Sequence, residues 1–123
     1  MRILIDTHVY LWALAAPERL SAARRDELES LANTVYVSSI SIAEIMIKAS
    51  LGKLNIGFDP IAYTDEMGFQ PLNFSASDAV LLRELPFHHR DPFDRMLIVQ
   101  SISQKTRIMS DDRNFTLYDC DLI

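Results

Sequence analysis

Three short β-type runs that each close on acids or small hydroxyl residues constrain this chain more than any other feature. Arg2-Ile3-Leu4-Ile5 ends at Asp6, Val35-Tyr36-Val37 ends in Ser38-Ser39, and Arg107-Ile108-Met109 ends in Ser110-Asp111-Asp112. Helical patterns lie between them. Residues 8 to 15 are apolar nearly all round before Ala16-Pro17 stops them. From Ser21 to Asn33, the apolar Ala22, Ala23, Leu28, Leu31 and Ala32 recur among charges, which predicts an amphipathic helix. Residues 42 to 51 read as a helix ending before Gly52, and Asp59-Pro60 opens another that ends before Gly68. Phe69 to Leu72 is a short strand candidate, and Ser75 to Leu85 opens with Ser-x-x-Asp ahead of an apolar run. Pro86 to Arg90 is a loop, Asp91-Pro92 starts a helix to about Lys105, and the residues around Leu122 form an edge strand. Strands alternating with helices predict an α/β fold with a parallel sheet covered on both faces.

The 123 residues give room for one domain with one core, and no repeat, low-complexity tract or linker divides them. The expectation is a single domain, 1–123. A hydrophobic fraction of 49% with 24% charged residues fits a folded protein with a water-facing surface. Seventeen acids against twelve bases leave a net charge of −5, which argues against a broad basic face for nucleic acid. A phosphate-bearing substrate has to be held some other way. Cys120 alone excludes an internal disulfide framework, and one Cys with three His cannot complete a structural zinc site. Met1-Arg2 leads straight into the first strand without the pattern of a secretion signal, and no apolar run is long enough to span a bilayer. A cytoplasmic protein is expected.

Acids on surfaces are common, so the informative ones are those surrounded by apolar sequence. Asp6 ends the first strand, where open α/β sheets bind ligands, although an N-cap explains it as well. Glu44 stands in Ser41-Ile42-Ala43-Glu44, a capping-box pattern, with Lys48 at i+4. On a helix Ser41, Glu44 and Lys48 fall within a stripe about 60° wide, and the other sides are mostly apolar. Such a stripe is expected to line a polar cleft. In Asp91-Pro92-Phe93-Asp94, Asp91 suits the N-cap, while Asp94 heads an apolar stripe through Leu97 and Ile98 and is expected to turn inward. Asp111 and Asp112 follow the last strand of the three, with a turn as the plain alternative.

All of these positions are strand ends or first helical turns on one sheet, so the carboxylates should converge. Like charges that close raise one another's pKa unless a cation sits among them. Oxygen donors suit Mg²⁺ or Mn²⁺, which engage substrate phosphates, and point to metal-assisted phosphodiester chemistry. Two divalent cations would bring the net charge of −5 to about −1. Arg2, Lys48, Arg90, Arg95, Arg107 and Arg113 stand near these acids in sequence and are candidates for phosphate contacts.

Four segments together carry a resemblance: Leu4-Ile5-Asp6-Thr7-His8; Ser41-Ile42-Ala43-Glu44-Ile45; His89-Arg90-Asp91-Pro92-Phe93-Asp94-Arg95-Met96-Leu97; and Ser110-Asp111-Asp112-Arg113-Asn114-Phe115. In this order they resemble the PIN domain, specifically VapC-like toxins of type II toxin–antitoxin systems, over essentially the whole chain. The resemblance implies a PIN-like three-layer α/β/α domain with a mostly parallel central sheet, and a Mg²⁺- or Mn²⁺-dependent endoribonuclease. It assigns catalysis and metal binding to Asp6, Glu44, Asp94 and Asp112, with Ser110 and Asp91 in support and Lys48 and Arg95 as possible substrate contacts. Asp112 is chosen over Asp111 because the family's Asp-x-x-Phe spacing reads Asp112-Arg113-Asn114-Phe115. It also implies a homodimer, and a cognate VapB-like antitoxin that reaches the acidic site with a basic side chain.

Other residues point less sharply. His8, His88 and His89 are candidates for substrate binding, with surface or loop positions as the commoner reading. Tyr10 and Trp12 either stack on bases, contact a partner or pack in the core, and Cys120 has no base near it in sequence. The main competing function is a phosphoacceptor receiver domain, which shares length, parallel sheet and Mg²⁺. It calls for two adjacent acids after the first strand and an acceptor Asp ending the third, where this chain has Asp6 alone and Leu72-Asn73. A PIN-like nuclease outside a toxin–antitoxin system, and an inactive PIN-like binding module, are the remaining alternatives.

Overall fold

The computed structural model describes residues 1–123. Five strands, β1 (Arg2–Ile5), β2 (Thr34–Ser38), β3 (Gln70–Leu72), β4 (Arg107–Met109) and β5 (Asp121–Leu122), form one sheet in the order β3-β2-β1-β4-β5. Every pairing is parallel. A receiver-type sheet has the order 2-1-3-4-5, so the connectivity already departs from that alternative. Ile5 pairs in register with Val37 on one side and with Met109 on the other, which aligns the carboxyl ends of β1, β2 and β4. Beyond β1 the chain turns first toward β2 and later toward β4, so the topological switch falls at Asp6.

Six α-helices cover this sheet: α1 (Thr7–Ala15), α2 (Ala22–Glu29), α3 (Ser39–Ser50), α4 (Pro60–Glu66), α5 (Ala76–Ala79) and α6 (Pro92–Gln104). The two-residue period of the strands divides the core between the faces. Ile3, Ile5, Val35, Val37 and Met109 pack with Val9 and Tyr10 of α1 and Ile45 of α3, whereas Leu4 and Ile108 pack with Leu97 and Ile98 of α6. Each such side chain, fully buried, contributes roughly 1.5–3 kcal/mol. Tyr10 belongs wholly to this core, its hydroxyl bonded to Pro60 O and Thr64 of α4. No helix is long and apolar enough to cross a membrane.

Three element boundaries differ from the expectation, each for a local reason. α2 stops at Glu29, where the Asn33 side chain donates to Glu27 O at 2.9 Å, and Leu31 points fully into solvent. The 75–85 segment is α-helical only over Ala76–Ala79 and then tightens into a 3₁₀ turn at Val80–Arg83. Pro86 disfavours α geometry at Leu85, and the Ser75–Asp78 capping box holds the other end. α3 begins three residues early with Ser38 as its N-cap, so Ser41 and Glu44 lie inside the helix and form no capping box. That correction removes the capping explanation for Glu44 and leaves its i+4 pair with Lys48.

Candidate active site

The carboxyl ends of β1 and β4 and the first turns of the helices beside them carry the acids. Asp6 accepts the Val9 amide at 2.8 Å as the N-cap of α1, so capping and site position coincide in one residue. It is 3% exposed, and burial pushes its carboxyl up, against the Ser110 hydroxyl and the Val9 amide. The Ser110 hydroxyl accepts the Asp112 amide at 3.0 Å, and the Asp6 amide donates to Met109 O at 3.1 Å, linking the ends of β1 and β4. On α3, Glu44 is equally buried. The Thr7 hydroxyl donates to its Oε1 at 2.7 Å and lies 3.0 Å from the Ser41 hydroxyl, while Lys48 Nζ binds Oε2 at 2.7 Å. The Ser41–Glu44–Lys48 stripe therefore lines a polar site. Glu44, followed by the charges of Asp91 and Asp94, holds the Lys48 ammonium pKa above the usual lysine value.

Asp94 stands one turn into α6, behind Asp91, which accepts the Phe93 and Asp94 amides as the N-cap. The Asp94 carboxyl is pushed up to about 7, first by burial and then by Asp91, Asp6 and Glu44, with His89 opposing. These four acids sense one another across elements far apart in sequence. Asp94 does turn from solvent, though its side chain keeps 20% exposure. Asp112 faces the same space. Burial works to raise its carboxyl, but the Asn114 amide and the His89 ring hold it below the usual carboxylate range.

His89 joins the two. Its Nε2 lies 3.0 Å from Asp94 Oδ2 and 2.8 Å from Asp112 Oδ2, and the ligand-capable atoms of these three side chains all fall within 4.8 Å of one another. Sequence reasoning ranked this histidine with loop residues. The signal available was its place directly before Arg90-Asp91-Pro92, two residues ahead of the α6 cap. Asp111, by contrast, turns away: Arg24 of α2 pairs with its carboxylate, and the side chain is 52% exposed.

Several predicted phosphate contacts are not at the site. Arg95 is buried and directed elsewhere, its guanidinium donating to Pro86 O at 2.9 Å and Leu85 O at 3.3 Å while stacking 3.9 Å from the Phe87 ring. Its guanidinium is thus engaged by the 85–87 loop and not by the acids, a correction to the sequence expectation of a substrate contact. Arg2 and Arg107 begin their strands and so lie at the opposite end of the sheet, Arg2 bonded to Gln104 O and Arg107 paired with Asp121 at 3.2 Å. Lys48, Arg90 and Arg113 remain on the acidic side of the chain's elements, the two arginines exposed. Tyr118 was missed altogether: its hydroxyl accepts the His88 and His89 amides at 2.9 and 2.8 Å and donates to Pro86 O, fixing the loop that carries His89. Cys120 is half-buried with its thiol pushed up by burial, in keeping with an unreactive side chain.

An all-parallel α/β domain with acids gathered at its switch point defines a class of hydrolytic scaffold, and comparison with known proteins narrows it. The PIN domain family model matches residues 3–119, so the chain belongs to the PIN domain family. Ribonuclease VapC22 of Mycobacterium tuberculosis is 26% identical over 114 residues, covering 90% of this chain and 87% of that protein. Among solved structures, VapBC2 from Rickettsia felis bound to a DNA fragment from their promoter superposes with a TM-score of 0.77 at 18% identity, covering 100% of this chain and 98% of that one. DNA-bound VapBC from Salmonella typhimurium gives 0.71 at 15% identity, with 100% and 97% covered. These structures share the fold.

Proposed function

We propose that this chain, read as one PIN-like domain over 1–123, is a Mg²⁺- or Mn²⁺-dependent endoribonuclease and the toxin of a type II toxin–antitoxin pair. The observation that carries the proposal is the gathering of Asp6, Glu44, Asp94 and Asp112 at the switch point of a PIN-family sheet, with Asp94 raised to about 7 by burial and then by the acids around it. Carboxylates held that close favour a cation among them, and an all-oxygen donor set suits a hard divalent ion. Asp6, Asp94 and Asp112 are the residues to hold it. Glu44 is occupied by Thr7 and Lys48 and completes the negative site from the α3 side.

When bound, such a cation activates a water for attack on phosphorus and offsets charge on the phosphate. The chain's own contribution is placement. Asp6 and Asp112 are fixed as caps, the Asp6 amide donates to Met109 O and so ties their strand ends together, and Lys48, with Arg90 and Arg113 exposed nearby in sequence, is suited to phosphate oxygens. Ribonuclease action is supported by the name of the VapC22 relative, and an antitoxin partner by the VapBC complexes among the structural neighbours. An apolar groove of about 580 Å³ beside α3 and α4, lined in part by Ile42, Ile61, Phe69 and Pro71, fits an apolar segment of that partner. A homodimer and a cytoplasmic site of action accompany this reading.

Purified protein incubated with mixed RNA is expected to cleave it only with Mg²⁺ or Mn²⁺. Cleavage no greater than that of Asp94→Asn under both ions rules out the nuclease. For the toxin role, induced expression should arrest bacterial growth, and co-expression of the small protein encoded beside it should restore growth. Unimpaired growth with active protein accumulating would leave a PIN nuclease outside a toxin–antitoxin system.

A further inference from the structure

We propose that His89 is a positioning residue of the acidic site, an Nε2–H donor that fixes the Asp94 and Asp112 carboxylates relative to each other, and is not itself a cation ligand. The inference rests on the metal reading above for its functional half. Its geometric half rests on two hydrogen bonds of the ring and on the 3.0 Å contact with Asp94. The Asp91 backbone amide lies 3.1 Å from His89 Nδ1, and an amide N–H can only donate, so Nδ1 presents its lone pair. The ring hydrogen is then on Nε2. The opposite edge of the ring agrees, because Nε2 is hydrogen-bonded to the accepting Asp112 Oδ2 at 2.8 Å, with Asp94 Oδ2 in polar contact at 3.0 Å.

Three potential ligand atoms within 4.8 Å look like a metal triad, but this tautomer leaves Nε2 without a lone pair for a cation. Turning the ring over would lose the Asp91 amide as a partner. The ring is also fixed from outside: Phe115 packs against it with centroids 6.0 Å apart, and Tyr118 holds the His89 amide. Asp112 Oδ1 accepts the Asn114 amide at 2.9 Å and Oδ2 meets His89, so this carboxylate is oriented beside Asp94 while each oxygen keeps a further lone pair. Partners that orient ligand carboxylates in this way are worth about 10- to 100-fold in metal affinity.

The test combines ring-¹⁵N spectra of His89 with Mn²⁺ titrations followed by electron paramagnetic resonance. Metal-free wild-type protein is expected to show the Nε2–H tautomer, and Mg²⁺ should leave that proton in place. His89→Asn keeps an acceptor for the Asp91 amide but no donor at the Nε2 position, and should weaken Mn²⁺ binding by about tenfold. His89→Gln returns an N–H near that position and should recover affinity to within about threefold of wild type. Melting curves of both variants check that they fold. An Nδ1–H tautomer, loss of the Nε2 proton on adding Mg²⁺, or folded Asn and Gln variants with equal Mn²⁺ affinities would each overturn the proposal. Wild-type protein that shows the Nε2–H form yet binds no Mn²⁺ overturns the metal reading instead, and with it the functional half of this one.

Discussion

The acidic site has two unlike halves. Asp6 and Glu44 are each 3% exposed and carry their own partners, the Val9 amide for one and Thr7 with Lys48 for the other. Asp94 and Asp112 are more open, and between them stands only the His89 ring. Glu44 is charge-compensated within the protein, whereas Asp94 is surrounded chiefly by acids. The first half is held in place by the protein's own groups, and the second, with Asp6 at its border, is the place where an added cation relieves repulsion. Asp94→Asn should therefore lower RNA cleavage by about 10³-fold, roughly 4 kcal/mol of lost charge stabilisation. Glu44→Gln should also lose cleavage, but the stabilities should diverge. Metal-free Asp94→Asn should be at least as stable as wild type at pH 8, while Glu44→Gln should lose roughly 1 kcal/mol because it abandons Lys48. Urea unfolding of both, beside single-turnover cleavage, decides whether the halves differ; equal destabilisation would erase the distinction.

The same contrast gives a pH dependence. Asp94 is raised from 3.8 to about 7, so the folded protein retains a proton that the unfolded chain releases. Its contribution is present below about 4 and lost as pH rises through about 7. The lowered Asp112 acts in the opposite sense, losing its contribution as pH falls through its folded value. The melting temperature of metal-free protein should thus decline between pH 4 and pH 8, and Asp94→Asn should flatten that decline. Excess Mg²⁺ at pH 8 should raise the melting temperature by mass action, and more in wild type than in the variant.

What the sequence made legible were the parts specified locally. Asp6 after Ile5, Asp91-Pro92 before Phe93 and Asp59-Pro60 before Ile61 are cap signals that act within a few residues, and the corresponding helices begin where they predict. The alternation of strand runs with helical patterns likewise predicted a parallel sheet covered on both faces, and the core does divide between them. Position in the sequence misled where the third dimension intervenes. Arg2 and Arg107 stand a few residues from acids, yet a strand's length separates them from the site. Arg95 immediately follows Asp94, but on a helix neighbours point about 100° apart, and it reaches the carbonyls of the 85–89 loop instead. Arg95→Ala should accordingly cost about 1–2 kcal/mol by removing the donor to Leu85 O and the packing against Phe87, while Pro86 O keeps Tyr118, read by urea unfolding. Its effect on cleavage should come through displaced His89, with the KM for RNA little changed.

Asp111 gives the smallest expected effect, and beside Asp112 the most local comparison, since the two acids differ by one position and face opposite ways. Asp112 caps the 3₁₀ turn Arg113–Leu117 through the Asn114 amide, and this directs its second oxygen to His89. Asp111 projects to the surface, where Arg24 pairs with it and also donates to Ser110 O and Ile123 O at 2.9 and 3.0 Å. Because Arg24 keeps these two carbonyls when the carboxylate is neutralised, Asp111→Asn should change stability by less than about 1 kcal/mol. Cleavage should stay within about threefold of wild type, since the site loses only a distant charge screened by solvent. Asp112→Asn should behave like Asp94→Asn in the same assay. Reversal of that order would move the cation toward Arg24 and away from the His89 side of the site.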